Sequence, residues 1–209
     1  MTSNTAPTSE SIKFYENIVH FPPVINGRIN LVQFLEATSD LVSIVDRIGK
    51  VFTPVKYDIQ GNIDKIKKNY DYDENSCLLE LMLGEISQGK ITAAEGILWL
   101  NRTLLFFEIT LEEVIRYLRS DNYDVNMDKI FSVAYEKSLK KYHNWITQQI
   151  FVVICKMSPS LPQMMKSLDV CDDINAFETK INNFKVTIHL NRCKIDDFFN
   201  DNDIFNKRK

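Results

Sequence analysis

The chain has 209 residues, of which 44% are hydrophobic, 11% aromatic and 25% charged, which is enough apolar material for one sizeable core and too little length for two. Six Gly and six Pro are too few for the frequent turns of a sandwich or barrel of short strands, so the composition points to helices. A formal net charge of −3 gives no global attraction to polyanions, and without a dense basic stripe no nucleic-acid partner is expected.

Residues 1–9 are polar and small, an expected disordered tail without the basic start and apolar centre of a signal peptide; the protein is therefore expected in the cytoplasm. Residues 10–209 are expected to form a single domain. Glu10 to His20 has helical apolar spacing (Ile12, Tyr15, Ile18, Val19) until Pro22 and Pro23 stop it. A second helix begins near Asn30, keeps a 3.6-residue period through Leu31, Phe34, Leu41, Val45 and Ile48, and stops at Gly49. Thr53 caps a third helix with Pro54 at its first position, and that helix runs to about Tyr70. Leu78 to Ser87 makes a fourth. Gly89 separates it from a long apolar run, Ile91 to Arg119, whose most hydrophobic stretch carries Arg102 and Glu108 and is too short to span a bilayer. The spacing next predicts one uninterrupted helix from Asp128 to Met157, ended by Ser158, Pro159 and Pro162, then a short helix over Gln163–Leu168. A last helix covers Asp173–Phe199, with Phe177, Ile181, Phe184 and Ile188 on one face. The expected fold class is all-α, with seven or eight helices. Cys77, Cys155, Cys171 and Cys193 have no CxxC spacing and no His at ligand spacing, so they read as reduced packing residues and no metal is expected.

Three helices carry unusual faces. On the third, at 100° per residue from Val55, Ile59, Ile63 and Ile66 fall between about 20° and 80° and define the buried stripe. Asp58, Asn62 and Lys65 fall together at about 280° to 340°, on the flank of that stripe. An acid, an amide and an amine along one edge of a buried seam suggest a ligand or a neighbouring helix, but periodicity alone favours a solvated polar flank. On the Ile91–Arg119 helix, Glu95, Arg102, Phe106, Thr110 and Tyr117 lie within about 60° of Trp99. That mixture of rings and hydrogen-bonding groups suits the faces and edges of a sugar, while a lone Trp also serves as ordinary core. On the Asp128–Met157 helix, His143 shares a face with Tyr135, Leu139, Ile146, Ile150, Ile154 and Met157, a titratable ring on the buried side, where a lone His usually serves as a satisfied core residue. Trp145 lies about 200° from His143, beside Lys137 and Lys141, as an interfacial anchor on an anionic membrane surface would; packing under a loop is the alternative.

Val51-Phe-Thr-Pro-Val-Lys-Tyr-Asp-Ile-Gln-Gly-Asn-Ile-Asp-Lys65 resembles the signature helix of the glycolipid transfer protein family, Leu98-Trp-Leu-Asn-Arg102 its tryptophan motif, and Lys140-Lys-Tyr-His-Asn-Trp145 its histidine motif. The resemblance is strongest from Val51 to Phe151. It implies a two-layer helical sandwich enclosing an apolar pocket, and non-enzymatic transfer of glycosphingolipids between membranes. It further implies that Asp58 and Asn62 hydrogen-bond sugar hydroxyls, that Lys65 contacts the same sugar, that Trp99 stacks on it, and that His143, assisted by Asp58, binds the ceramide amide. Ile59, Phe106, Leu139 and Phe151 are the candidates for lining the chain pocket. No cofactor is expected, and the expected partners are a glycosphingolipid and, reversibly, a membrane surface, with the protein a monomer. Two places depart from the family pattern. Glu95, one turn before Trp99, stands where an apolar residue is expected, and could bind a sugar hydroxyl, pair with Arg102 or face water. The C-terminal Phe205-Asn-Lys-Arg-Lys209 lacks the tyrosine associated with the family's end.

Three alternatives compete with this reading. A carrier of ceramide phosphate would present cations to its headgroup, whereas Asn62 and Trp99 are neutral. A glycolipid sensor or scaffold would use the same pocket without shuttling. An enzyme built on Asp58 and His143 lacks a nucleophile motif, a metal spacing or a phosphate loop.

Overall fold

A computed structural model of the chain describes residues 12–68, 70, 73–120, 123–171, 173–202 and 204–205. The expected tail over residues 1–9 lies outside them. Among the described residues there are eight α-helices and no strand: α1 (Leu31–Ile48), α2 (Thr53–Lys67), α3 (Leu78–Ser87), α4 (Thr92–Arg119), α5 (Met127–Lys137), α6 (Trp145–Lys156), α7 (Leu161–Ser167) and α8 (Ile174–Asn202).

α1 starts where the sequence places it, because the Asn30 side chain accepts a hydrogen bond from the Gln33 N–H at 2.9 Å and so satisfies one of the donors a helix start leaves open. It stops at Gly49, whose φ of 146° excludes most side chains. Its apolar face, Leu31, Phe34, Leu35, Leu41, Val42 and Val45, is buried.

α4 is the hub. Ala93, Ile97, Leu100, Leu104, Phe107 and Val114 are all buried along it, and α8, α2, α5 and α3 pack against it. α1 lies on α2, α6 on α5, and α7 touches α1. The start of α4 has no capping side chain of its own. Instead the buried Glu85 of α3 accepts from the Ala93 and Ala94 N–H groups at 2.8 and 2.9 Å, a carboxylate at the positive end of a helix. The α2–α4 crossing is close because of Gly96, where an added Cβ would stand 2.9 Å from the Asn62 carbonyl oxygen and 3.3 Å from the Lys65 Cβ.

Four expectations need correction. The Glu10–His20 helix is a single 3-10 turn, Phe14–Asn17, its first two residues lying outside the described residues. So short a segment is marginal alone, and it is held by tertiary contacts: Tyr15 N–H donates to the Leu168 carbonyl at 3.2 Å and its ring meets Phe177 edge-on. Thr53 is the first residue of α2 and not its cap; a 3-10 turn over Lys50–Phe52 leads into the helix, and the Thr53 hydroxyl donates back to the Lys50 carbonyl. The single helix from Asp128 to Met157 is two helices, α5 and α6, joined by a 3-10 turn at Lys140–Tyr142. The Ser138 hydroxyl donates to the Ala134 carbonyl at 2.6 Å as the chain leaves α5, and the Asn144 side chain accepts from the Thr147 N–H at 2.9 Å to start α6, local bonding that competes with helix continuation. Finally, the cysteines are unpaired, but only Cys77 and Cys155 are buried, and Cys171 is exposed.

Candidate functional site

α2, α4 and the α5–α6 joint converge on one polar cluster. From α2 come Asp58, Asn62 and Lys65; from α4 come Glu95, Trp99 and Arg102; from the joint come Tyr142 and His143. The close approach at Gly96 brings the α2 residues to the α4 residues. The joint presents His143 from an extended backbone, φ −91° and ψ 140°. Gln148 fixes it there, donating from Nε2 to the carbonyls of Lys140 and His143 at 3.0 and 2.9 Å.

His143 is half-buried. Its Nδ1 lies 2.9 Å from the Tyr135 hydroxyl, and the Tyr135 ring is stacked on Phe151 at 3.8 Å and 10°. Burial pushes the Tyr135 phenol up to about 12, so it stays protonated and able to donate to Nδ1, which leaves Nε2 as the ring's remaining polar atom. Burial lowers the His143 pKa from its ordinary 6.5, with Asp58 opposing the shift and Arg102 adding to it; the ring is neutral at pH 7. Asp58 is exposed by surface area, yet it stands at the rim of an apolar cavity with Pro54 and Val55. That desolvation raises its carboxyl above the ordinary range, partly offset by His143 and Lys65.

Asn62 is buried, and its Nδ2 donates to the Asp58 carbonyl at 2.9 Å, so its amide is partly spent inside α2. Lys65 Nζ lies 3.8 Å from Glu95 Oε2. Glu95 therefore pairs with Lys65 and not with Arg102. The Arg102 guanidinium lies 3.6 Å over the Tyr142 ring and 4.7 Å over Trp99, cation–π contacts that hold it half-buried. Trp99 also faces His143, ring centroids 5.7 Å apart and 20° between planes.

Beneath this cluster is a cavity of about 180 Å³ lined by Asp58 and His143 at one end and by Phe106, Leu139, Phe151 and Ile154. A second, of about 20 Å³, shares Val55, Phe106 and Phe151 with it. A third, of about 50 Å³ and apolar except for Thr110, shares Ile48, Phe107 and Phe131 with the second and reaches Phe177 and Phe184 of α8. The three form an interrupted apolar line running inward from the polar mouth. Phe106, Leu139 and Phe151 lie on that line, whereas Ile59 is fully buried and lines none of the three cavities. Tyr135, which the sequence places on the His143 face without marking it as a site residue, is the hydrogen-bond partner of the imidazole. Asn144, followed three residues later by Thr147, is a helix-start signal that the continuing apolar period hides.

The break also re-phases α6. Ile154 is buried, but Ile146, Ile150 and Met157, expected on the buried side with His143, are exposed, together with Val153 and Trp145, the last at 72%. The result is an outward apolar strip on α6; Lys137 and Lys141, earlier in the chain, are exposed as well. Among the described residues no helix is long and apolar enough to cross a membrane, and no cluster of three or more His, Cys, Asp and Glu residues could hold a metal ion.

The solved structure of FAPP2, which selects simple glycosphingolipids using the GLTP-fold, superposes with a TM-score of 0.79 over 90% of this chain and 95% of that one, at 22% identity. Mouse ceramide-1-phosphate transfer protein in its apo form gives a TM-score of 0.76 at 16% identity, over 91% and 93% of the two chains. Both likenesses concern the fold, an all-α helical sandwich. In sequence, the glycolipid transfer protein of Danio rerio is 35% identical over 144 residues, 65% of this chain and 68% of its own. The family model described as glycolipid transfer protein matches residues 29–170. With the signature helix, the tryptophan motif and the histidine motif all inside that span, the chain belongs to the glycolipid transfer protein family.

Proposed function

We propose that the protein carries glycosphingolipids with uncharged sugars between membranes, without chemical turnover. The observation that carries this reading is the placement of a polar cluster at the mouth of an apolar line of cavities. Asp58 and the neutral His143 bind the ceramide amide, the carboxylate accepting from its N–H and Nε2 donating to its carbonyl. Asn62, Lys65 and Trp99 hold the sugar, by hydrogen bonds and by stacking on the indole. Phe106, Leu139 and Phe151 receive the chains. A phosphate headgroup calls for Lys or Arg clamps; Asn62 and Trp99 are neutral, which favours a sugar. The exposed strip on α6, with Trp145, Lys137 and Lys141, docks a protein monomer transiently on the membrane, at the cytoplasmic side.

Asp58→Val tests the reading. Transfer of glucosylceramide between vesicles falls at least tenfold while far-ultraviolet circular dichroism stays native, since an exposed side chain contributes little to the core. Loss of the helical signal, or undiminished transfer, contradicts the assignment.

A further inference from the structure

Four charges ring the mouth: Asp58, Lys65, Glu95 and Arg102. Arg102 is engaged by two aromatic faces, and Lys65 stands beside Glu95. The Lys65–Glu95 pairing is built by the fold. Gly96, next to Glu95, lets α4 approach so closely that an added Cβ would be 3.3 Å from the Lys65 Cβ, which sets the two side chains on facing helices at the same level. Both are substantially exposed, at 40% and 48%, and their separation of 3.8 Å is that of a loose pair which a ligand group can enter.

What enters decides the outcome. A sugar hydroxyl can accept from the Lys65 ammonium and donate to the Glu95 carboxylate at once, so both charges keep a partner. A sulfate ester, ionised throughout the neutral pH range, can only accept. Drawn to Lys65, it competes with Glu95 and leaves two like charges together, with Asp58 a third negative group at the same mouth. Like charges juxtaposed at a binding site reject the wrong ligand.

Resting on the glycolipid-carrier reading above, we propose that Glu95 is a specificity-determining residue: by holding a carboxylate against Lys65, it selects uncharged sugar headgroups and excludes sulfated ones. Removing its charge, with the side-chain shape kept, widens the range to acidic glycolipids.

The test uses phosphatidylcholine vesicles loaded in parallel with galactosylceramide or galactosylceramide 3-sulfate, and the full chain as wild type, Glu95→Gln and the double variant Glu95→Gln with Lys65→Gln. The sulfated-to-neutral ratio of transfer rates rises about fivefold in Glu95→Gln, the size of a change near the upper limit for an exposed pair. It falls back in the double variant, and the wild-type preference for the neutral lipid weakens as salt is raised. An unchanged or lower ratio in a Glu95→Gln protein with native circular dichroism overturns the role of Glu95 while leaving the carrier reading in place. Wild-type protein that moves neither lipid overturns the carrier reading and this inference with it.

Discussion

His143 is held neutral by its surroundings, and that state has a thermodynamic signature. Its native pKa lies below the ordinary 6.5 because burial disfavours the imidazolium. As pH falls, the unfolded chain therefore takes up the proton first, so the stability tied to the neutral ring is complete above about 6.5 and is lost as pH drops from there toward the lowered native value. Asp58 acts in the opposite sense. Its raised native pKa means that the folded state gains relative stability as pH falls from that raised value toward the ordinary 3.8. His20 is lowered too, by burial and by Lys180, and contributes in the same sense as His143. Scanning calorimetry between pH 7.5 and 5.5 is expected to show the wild-type Tm falling with acidification, and His143→Asn a shallower fall, with the His20 contribution left. An equally steep fall in the variant contradicts a desolvated His143.

The α2–α4 crossing and the α5–α6 joint place the residues that the sequence singles out, and they differ in how plainly the sequence states them. Asn30 and Gly49 bound α1 because a cap and a glycine stop have direct chemical signatures. The isoleucine stripe of α2 is legible for the same reason that it is buried: Ile59, Ile63 and Ile66 recur on one face. Gly96 gives no such sign, since a glycine within an apolar helix reads as a weak spot until its neighbour across the seam is known. Gly96→Ala is accordingly expected to destabilise by about 1–3 kcal/mol through overpacking, although alanine is the better helix former. Gly61→Ala, on α2 with open space around it, gains up to about 1 kcal/mol. Urea denaturation of the two variants gives opposite shifts of midpoint; equal shifts contradict the close crossing.

At the joint, the apolar period runs on through the break, so periodicity predicts one helix where Ser138 and Asn144 make two. The helical angle that turned Trp145 away from His143 therefore rested on a helix that is not continuous, and its exposure follows instead from its place as the first residue of α6. The exposed strip it heads is the docking surface we propose, and Trp145→Ala should then lower both vesicle partition and transfer rate while changing stability by no more than about 0.5 kcal/mol. A loss of several kcal/mol would mark the indole as core.

For the whole molecule, volume sets the main demand. At about 0.8 kcal/mol per methylene, a two-chain lipid of about 30 methylenes costs on the order of 20 kcal/mol to expose to water, so a carrier must sheathe it. If each methylene needs the cavity space that holds one water, about 10–15 Å³, the chains require on the order of 300–450 Å³. The three adjoining cavities, of about 180, 20 and 50 Å³, fall short of that. Loading therefore requires the helices around Phe106, Phe107, Phe131 and Phe151 to part and merge the cavities, with apolar side chains exchanging contacts with one another for contacts with the lipid. The polar cluster at Asp58, Trp99 and His143 lies within three short motifs and so is legible in the sequence as a proposed site, whereas the shape of the pocket depends on how distant helices pack and is not. The most direct measurement is transfer between vesicles of glucosylceramide against ceramide phosphate of the same chain length, at equal concentration and moderate salt. Faster movement of glucosylceramide is the predicted result, and equal or faster movement of the phosphate lipid would contradict the account.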